Sequence, residues 1–218
     1  MLLLFVFPLP FHICYTRIKK LKGDINFMKT VEPIRNKKDI QAISKYYQQL
    51  GQFRNNLLII TGLHTALRIS DILRLTWSDV YNFDTNTYKK HITLVEKKTR
   101  KSKAIALNRQ VIQALRLYFK TQNPSPKEPL FLSQRRTGKA ISRIQAYRII
   151  RSASESIRLC TRVSCHSLRK TFGYHAWKNK ESLAVITDIF NHSFLAITRR
   201  YLGICQDDQD KLYLRQWC

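Results

Sequence analysis

Residues 89–107, KKHITLVEKKTRKSKAIAL, break the period of a chain that otherwise reads as helix. His91 to Val95 and Lys103 to Leu107 are short β-rich runs flanking a basic turn that carries Thr and Ser, the pattern of a small antiparallel hairpin with Lys at its tip. Around it the apolar spacing is helical. NKKDIQAISKYYQQLG offers Asn36 as a cap, apolar Ile40, Ile43, Tyr47 and Leu50 on one face, and Gly51 as a stop. FRNNLLIITGLHTAL reads as a more buried helix, and SDILRL as a short one capped by Ser70 before a WSDV turn. NRQVIQALRLYFKTQ is helical up to a surface loop punctuated by Pro124, Pro126 and Pro129. From Ser142 follow SRIQAYRIIRSASESIR, SLRKTFGYHAWKN, SLAVITDIF and a last helix ending near Tyr201. The fold class is mainly α with a small antiparallel β hairpin. Leu212, Leu214 and Trp217 give the tail an apolar side for packing on its own core or on a neighbouring subunit.

Charge bears on partners, not on topology. The 218 residues carry 39 Lys plus Arg against 14 Asp plus Glu, a formal charge of +25, which makes nucleic acid the leading partner class. At 44% hydrophobic residues the chain is too apolar for a disordered basic tail and long enough to bury a core. Five cysteines without a C-x-x-C pair point to a reduced, intracellular protein. Cys160, Cys165 and His166 lack a second pair of ligands for zinc, so neither metal nor cofactor is expected. The opening MLLLFVFPLPFHICY is too short to span a bilayer, is broken by Pro8 and Pro10, and has Arg17, Lys19 and Lys20 behind its apolar run. A membrane partner is not expected, and the expected location is the cytoplasm, in association with the nucleoid. Residues 1–27 read as an extension outside a domain spanning 28–218. Lys22, Gly23 and Asp24 can be encoded AAA GGA GAT, a ribosome-binding sequence three codons ahead of Met28. Translation is therefore expected to begin at Met28, with Leu2 to Phe7 packing poorly if they are made.

Four stretches put cationic or hydrogen-bonding residues in specific company: TALRISDILRLTWSDV with Arg68, VEKKTRKSKAIAL with Lys98, HSLRKT with His166 and Arg169, and NHSFLAITRRYLG with His192 and Tyr201. In this order and spacing they resemble the catalytic domain of the tyrosine recombinases, the phage integrase family. The resemblance implies that family's fold and a metal-free cutting and rejoining of double-stranded DNA. The scissile phosphate gains negative charge in its pentavalent transition state, which the planar guanidinium forks of Arg68 and Arg169 match. By resemblance Tyr201 is the nucleophile, forming a 3′-phosphotyrosyl ester that conserves bond energy for religation and releasing a 5′-hydroxyl. Lys98 aligns with the family's hairpin lysine and would protonate the leaving oxygen. His166, three residues before Arg169 on one helical turn, would serve as base or phosphate ligand. His192 would hydrogen-bond the phosphate and orient the nucleophile, and Asp71 would orient an Arg or His without touching DNA. Lys97, Arg100, Lys101, Lys103, Lys170, Arg199 and Arg200 are the expected DNA-binding cations.

The family's usual Gly before the second histidine is Asn191 here, the next most tolerated residue at a left-handed helix end. Ala66 stands where Gly often precedes the first arginine box. Too few residues precede the domain for the family's N-terminal clamp, so site selection is expected to be weaker or differently supplied. A homo-oligomer on DNA, a tetramer, is implied, with an accessory DNA-bending protein as a further partner. The competing readings are a catalytically inactive DNA-binding regulator or decayed integrase, and a relaxing enzyme of the type IB topoisomerase kind. Retention of all six motif residues argues against decay.

Overall fold

The structure is a computed structural model and describes residues 31–135, 138–204, 210 and 213–214. The expectations for residues 1–27 and for Leu212 and Trp217 fall outside the described residues, while Leu214 is exposed. Asn36 caps α1 (Lys37–Gln49) by accepting from the Lys38 N–H. The helix buries Ile43 and Tyr47 and ends ahead of Gly51, whose φ of +68° suits glycine.

Next, α2 (Phe53–His64) is buried along Asn56 to Leu63, all round its circumference, as expected of a helix without a polar face. One side contributes Leu57, Leu58 and Ile60 to a core with Trp77, Leu115 and Phe131. The other contributes Ile59 and Leu63 to a core with Ile34, Ile43, Ile150 and Leu168. Each such side chain contributes about 1.5–3 kcal/mol by leaving water, so α2 is the post around which the domain is built.

Two short helices follow, α3 (Ile69–Ile72) and α4 (Trp77–Val80). Ser70 is not a cap as expected. The N-cap position of α3 is Arg68, which makes no side-chain cap bond. The WSDV stretch is a helical turn instead of a plain turn, because Thr76 and Asp79 form a capping box. A two-residue hairpin, β1 (Tyr81–Asn82) with β2 (Thr87–Tyr88), was not legible in the sequence, since its strands are too short for alternation to show. The expected hairpin is present as β3 (His91–Val95) and β4 (Ser102–Ala106), antiparallel from His91↔Ala106 to Val95↔Ser102.

Asn108 caps α5 (Arg109–Gln122), which ends on Asn123 in a left-handed conformation. The proline loop is tied back to α4: the Ser78 N–H donates to the Pro126 carbonyl and the Trp77 N–H to that of Glu128. A capping box at Ser142 opens α6 (Arg143–Ser156), and Ser164 caps α7 (Cys165–Lys178). Finally α8 (Leu183–Phe190) ends on left-handed Asn191, and α9 (Leu195–Leu202) on Gly203. Ala66, Ile186, Phe190 and Leu202 form a third core, against which Tyr201 packs.

Candidate active site

Two arginines meet at the end of one helix. Arg169, in the second turn of α7, is 3% exposed. Its Nη2 donates to the Phe190 carbonyl at 3.0 Å, and its Nη1 donates to the Ala66 carbonyl. Arg68 Nη2 reaches the same Phe190 oxygen at 3.5 Å. Phe190 is the last residue of α8, where unpaired carbonyls carry the negative end of the helix dipole and favour cations. Ala66 turns the chain toward this point with a φ of +54°, and Asn191 does the same after α8 with a φ of +51°. Both positions that depart from the family's glycines are therefore left-handed.

The first arginine is also held by an acid that the sequence reading did not single out. Glu96, fully buried just after β3, accepts from Arg68 Nη1 at 2.8 Å, Asn191 Nδ2 at 2.6 Å and Thr99 Oγ1 at 2.7 Å, all at Oε2. Lys103 Nζ stands 3.9 Å from Oε1. Burial works to raise the Glu96 pKa, but the bonds from Thr99, Asn191 and Arg68 outweigh it and hold the carboxyl below its ordinary value.

Lys103 was expected to contact DNA. Instead its Nζ turns inward, donating to the Ile189 carbonyl, and burial lowers its pKa. Asp71 was expected to orient an Arg or His. It is 2% exposed and takes the backbone N–H of Lys97 at 2.9 Å, so it anchors the hairpin tip. Lys97, Lys98, Arg100 and Lys101 stand exposed around that tip, in the turn and at its margins, and Arg100 takes a left-handed φ of +59°. The Lys98 charge is felt at His192.

His166 is exposed in the first turn of α7. Loss of water around its ring and the charges of Arg169, Lys170, Arg143 and Arg68 lower its pKa. His192 packs against Phe190 at 5.3 Å and Tyr201 at 5.1 Å between ring centroids, with Nδ1 3.0 Å from Thr198 Oγ1. Burial, then Arg169, Arg68 and Lys98, push it down to about 4. Tyr201 packs edge-on to Phe190 at 5.3 Å, with Lys170 Nζ 5.0 Å from its ring centroid. Burial raises its pKa while Arg169, within hydrogen-bonding reach, pulls it down. Arg199 and Arg200 are exposed on α9. The site thus brings Arg68, Arg169, His192 and Tyr201 together around the end of α8, with His166 and the hairpin lysines at its rim. Among the described residues no three His, Cys, Asp or Glu side chains group as metal ligands, and no helix is long and apolar enough to cross a membrane.

A family model described as "Phage integrase family" matches residues 35–206. This chain belongs to the phage integrase family. Its class is that of the tyrosine-type, site-specific recombinases. A probable integrase/recombinase YoeC of Bacillus subtilis is 40% identical over 186 residues, covering 85% of this chain and 97% of that protein. Among solved structures, XerA recombinase superposes with a TM-score of 0.69 at 18% identity, over 93% of this chain and 72% of that one. XerH, bound to a palindromic difH substrate in a post-cleavage complex, gives 0.65 at 18% identity, over 84% of this chain and 53% of that one. These neighbours place the fold among tyrosine recombinase catalytic domains.

Proposed function

We propose that this phage integrase family member cuts and rejoins double-stranded DNA through a 3′-phosphotyrosyl bond to Tyr201. The observation that carries the reading is the convergence of residues from three separated motifs on one helix end. Arg68 and Arg169 share the Phe190 carbonyl, and Tyr201 stands beside Arg169 and His192. Two fixed guanidinium groups supply charge where the phosphorane gathers it. The phenol attacks phosphorus, the 5′-oxygen leaves with a proton from Lys98, and the ester waits for an incoming 5′-hydroxyl. Lys97, Arg100, Lys101, Arg199 and Arg200 lie on the surface for phosphate contacts, and Lys170 sits over the nucleophile, where it serves the same anion. Asp71 supports the reaction by fixing the hairpin backbone.

The DNA-bound state of XerH supports duplex DNA as the partner. We extend this to a homotetramer on DNA, aided by a DNA-bending accessory protein, in the cytoplasm with the nucleoid. Covalent capture on a nicked duplex tests the reading, because the nick lets the short strand end diffuse away and strands the intermediate. Wild-type protein should give an SDS-resistant adduct and Tyr201→Phe should bind DNA without one. An adduct with Tyr201→Phe would show that another residue attacks.

A further inference from the structure

Lys98 is held in place by its neighbours. Its own side chain stands exposed, but the Lys97 N–H on one side donates to Asp71 Oδ1 at 2.9 Å, and the Thr99 hydroxyl on the other donates to Glu96 Oε2 at 2.7 Å. Glu96 also closes the turn through its backbone. Its N–H donates to the Lys101 carbonyl at 3.0 Å, and its carbonyl accepts from the Arg100 N–H at 2.9 Å. Wherever Glu96 is fixed, the backbone that carries Lys98 is fixed with it. From the far side Glu96 is met by Asn191, whose Nδ2 lies 2.6 Å from the same Oε2. Although burial works against its charge, the donors keep the Glu96 carboxyl below its ordinary pKa, and a carboxylate can only accept, so the amide nitrogen must face it. Asn191 caps the end of α8, between Phe190, whose carbonyl takes Arg169 and Arg68, and His192. The contact thus joins the hairpin to the helix end across 95 residues of chain.

We propose that Asn191 is a positioning residue for Lys98: its amide ties Glu96, and with it the hairpin tip, to the end of α8, which sets the Lys98 ammonium at the leaving 5′-oxygen. This rests on the reaction proposed above, with Tyr201 as nucleophile and Lys98 as proton donor. The backbone does not call for the amide. Asn191 has φ +51° and ψ +45°, a conformation that glycine adopts more readily than any other residue. Glycine, the family's usual residue there, brings no donor to Glu96.

The other parts of the site have supports of their own. Arg68 is held by Glu96 and the Phe190 carbonyl, Arg169 by the carbonyls of Ala66 and Phe190, and His192 by Thr198, and none of these bonds uses the Asn191 side chain. Removing the amide also leaves Glu96 its bonds from Arg68 and Thr99, so no buried charge is orphaned. What is lost is the tie between two loops. Those loops do meet: behind burial and the two arginines, Lys98 is the next influence on the ring of His192, the residue after Asn191. Proton transfer to a leaving oxygen depends on donor placement within a fraction of an ångström, so slack in the hairpin root is felt in the rate of cleavage.

Asn191→Gly is the test, because it keeps the left-handed helix end and removes only the amide. On a nicked duplex with an ordinary phosphodiester, the variant should bind DNA as wild type does and form the covalent adduct about fivefold or more slowly at saturating DNA. On the same duplex with sulfur at the 5′-bridging position, where the leaving group needs no proton, the deficit should fall to about twofold or less. In a Lys98→Ala background Asn191→Gly should add nothing, since a residue that acts through Lys98 has nothing left to act through. Capture at the wild-type rate would reduce Asn191 to a helix cap and overturn the proposal. A deficit equal on both substrates, or one that multiplies with that of Lys98→Ala, would move its effect to the arginines or His192 and overturn the proposal as well. A second measurement needs no catalysis. Amide hydrogen exchange of Lys97 and Arg100 in the full chain without DNA should be about threefold or more faster in Asn191→Gly, while that of Leu58, fully buried in α2, should not change. Unchanged exchange at the tip would overturn the tie. If wild type captures no DNA, the recombinase reading fails, and the exchange rates then decide whether Asn191 holds the hairpin.

Discussion

Glu96 shows how much one buried charge can organise. It is fully buried, and it joins the hairpin to Arg68 on one side and to Asn191 on the other. Glu96→Ala would leave the Arg68 guanidinium facing an empty pocket, and breaking such a pair costs about 3–5 kcal/mol, readable as a lower midpoint in denaturant unfolding. The acid limb of the stability profile carries the same signature. A carboxyl held below its ordinary value of 4.5 stabilises the fold above that pH, and the contribution is lost as pH falls through the folded value. Glu96→Gln should therefore lose stability less steeply than wild type as pH falls below about 4.5. Sequence reasoning singled out Arg68, Arg169, His192 and Tyr201 because their spacing is a pattern. It could not single out Glu96, because its partner Asn191 lies 95 residues away and a lone Glu in a hairpin has no period.

At the scale of elements, the long helices and the β3–β4 hairpin were legible from periodicity, whereas the β1–β2 hairpin and the cap of α3 were not. The first is too short to alternate, and at the second a tertiary demand won: Arg68 is kept at the helix entrance so that its side chain can reach Glu96 and Phe190. The close approach of α7 to α8 and α9 was equally hidden. A Cβ at Gly173 would lie 2.6 Å from Leu202 Cδ2 and from Phe190 Cε2 and Cζ. Both neighbours are fully buried, so Gly173→Ala should cost about 1–3 kcal/mol by overpacking. It should also depress cleavage more than DNA binding, because Phe190 is the residue both arginines hold. The hairpin makes a prediction of its own through its exposed tip. Lys98→Ala should slow cleavage of an ordinary phosphodiester strongly. On a substrate with sulfur at the 5′-bridging position it should do so much less, since a thiolate leaves without a proton. Equal defects on both substrates would reduce Lys98 to a phosphate contact.

For the whole molecule, a charge of +25 sets how binding responds to salt. Each neutralised phosphate contributes about −0.9 to the slope of log affinity against log salt, so a titration from low to physiological salt should fall steeply. A flat line would assign the basic surface to some other partner. One feature decides how labour is divided when several copies share a DNA site. Tyr201 is seated in the pocket of the chain that carries it, under Lys170 and against Phe190 and His192. On the proposed reading, this seat predicts that each subunit cuts with its own tyrosine. Mixing Tyr201→Phe with Arg68→Lys should give no more covalent product than either variant alone, because every subunit present is broken in its own pocket. Restored capture in the mixture would mean that α9 leaves its seat and delivers its tyrosine across the subunit boundary.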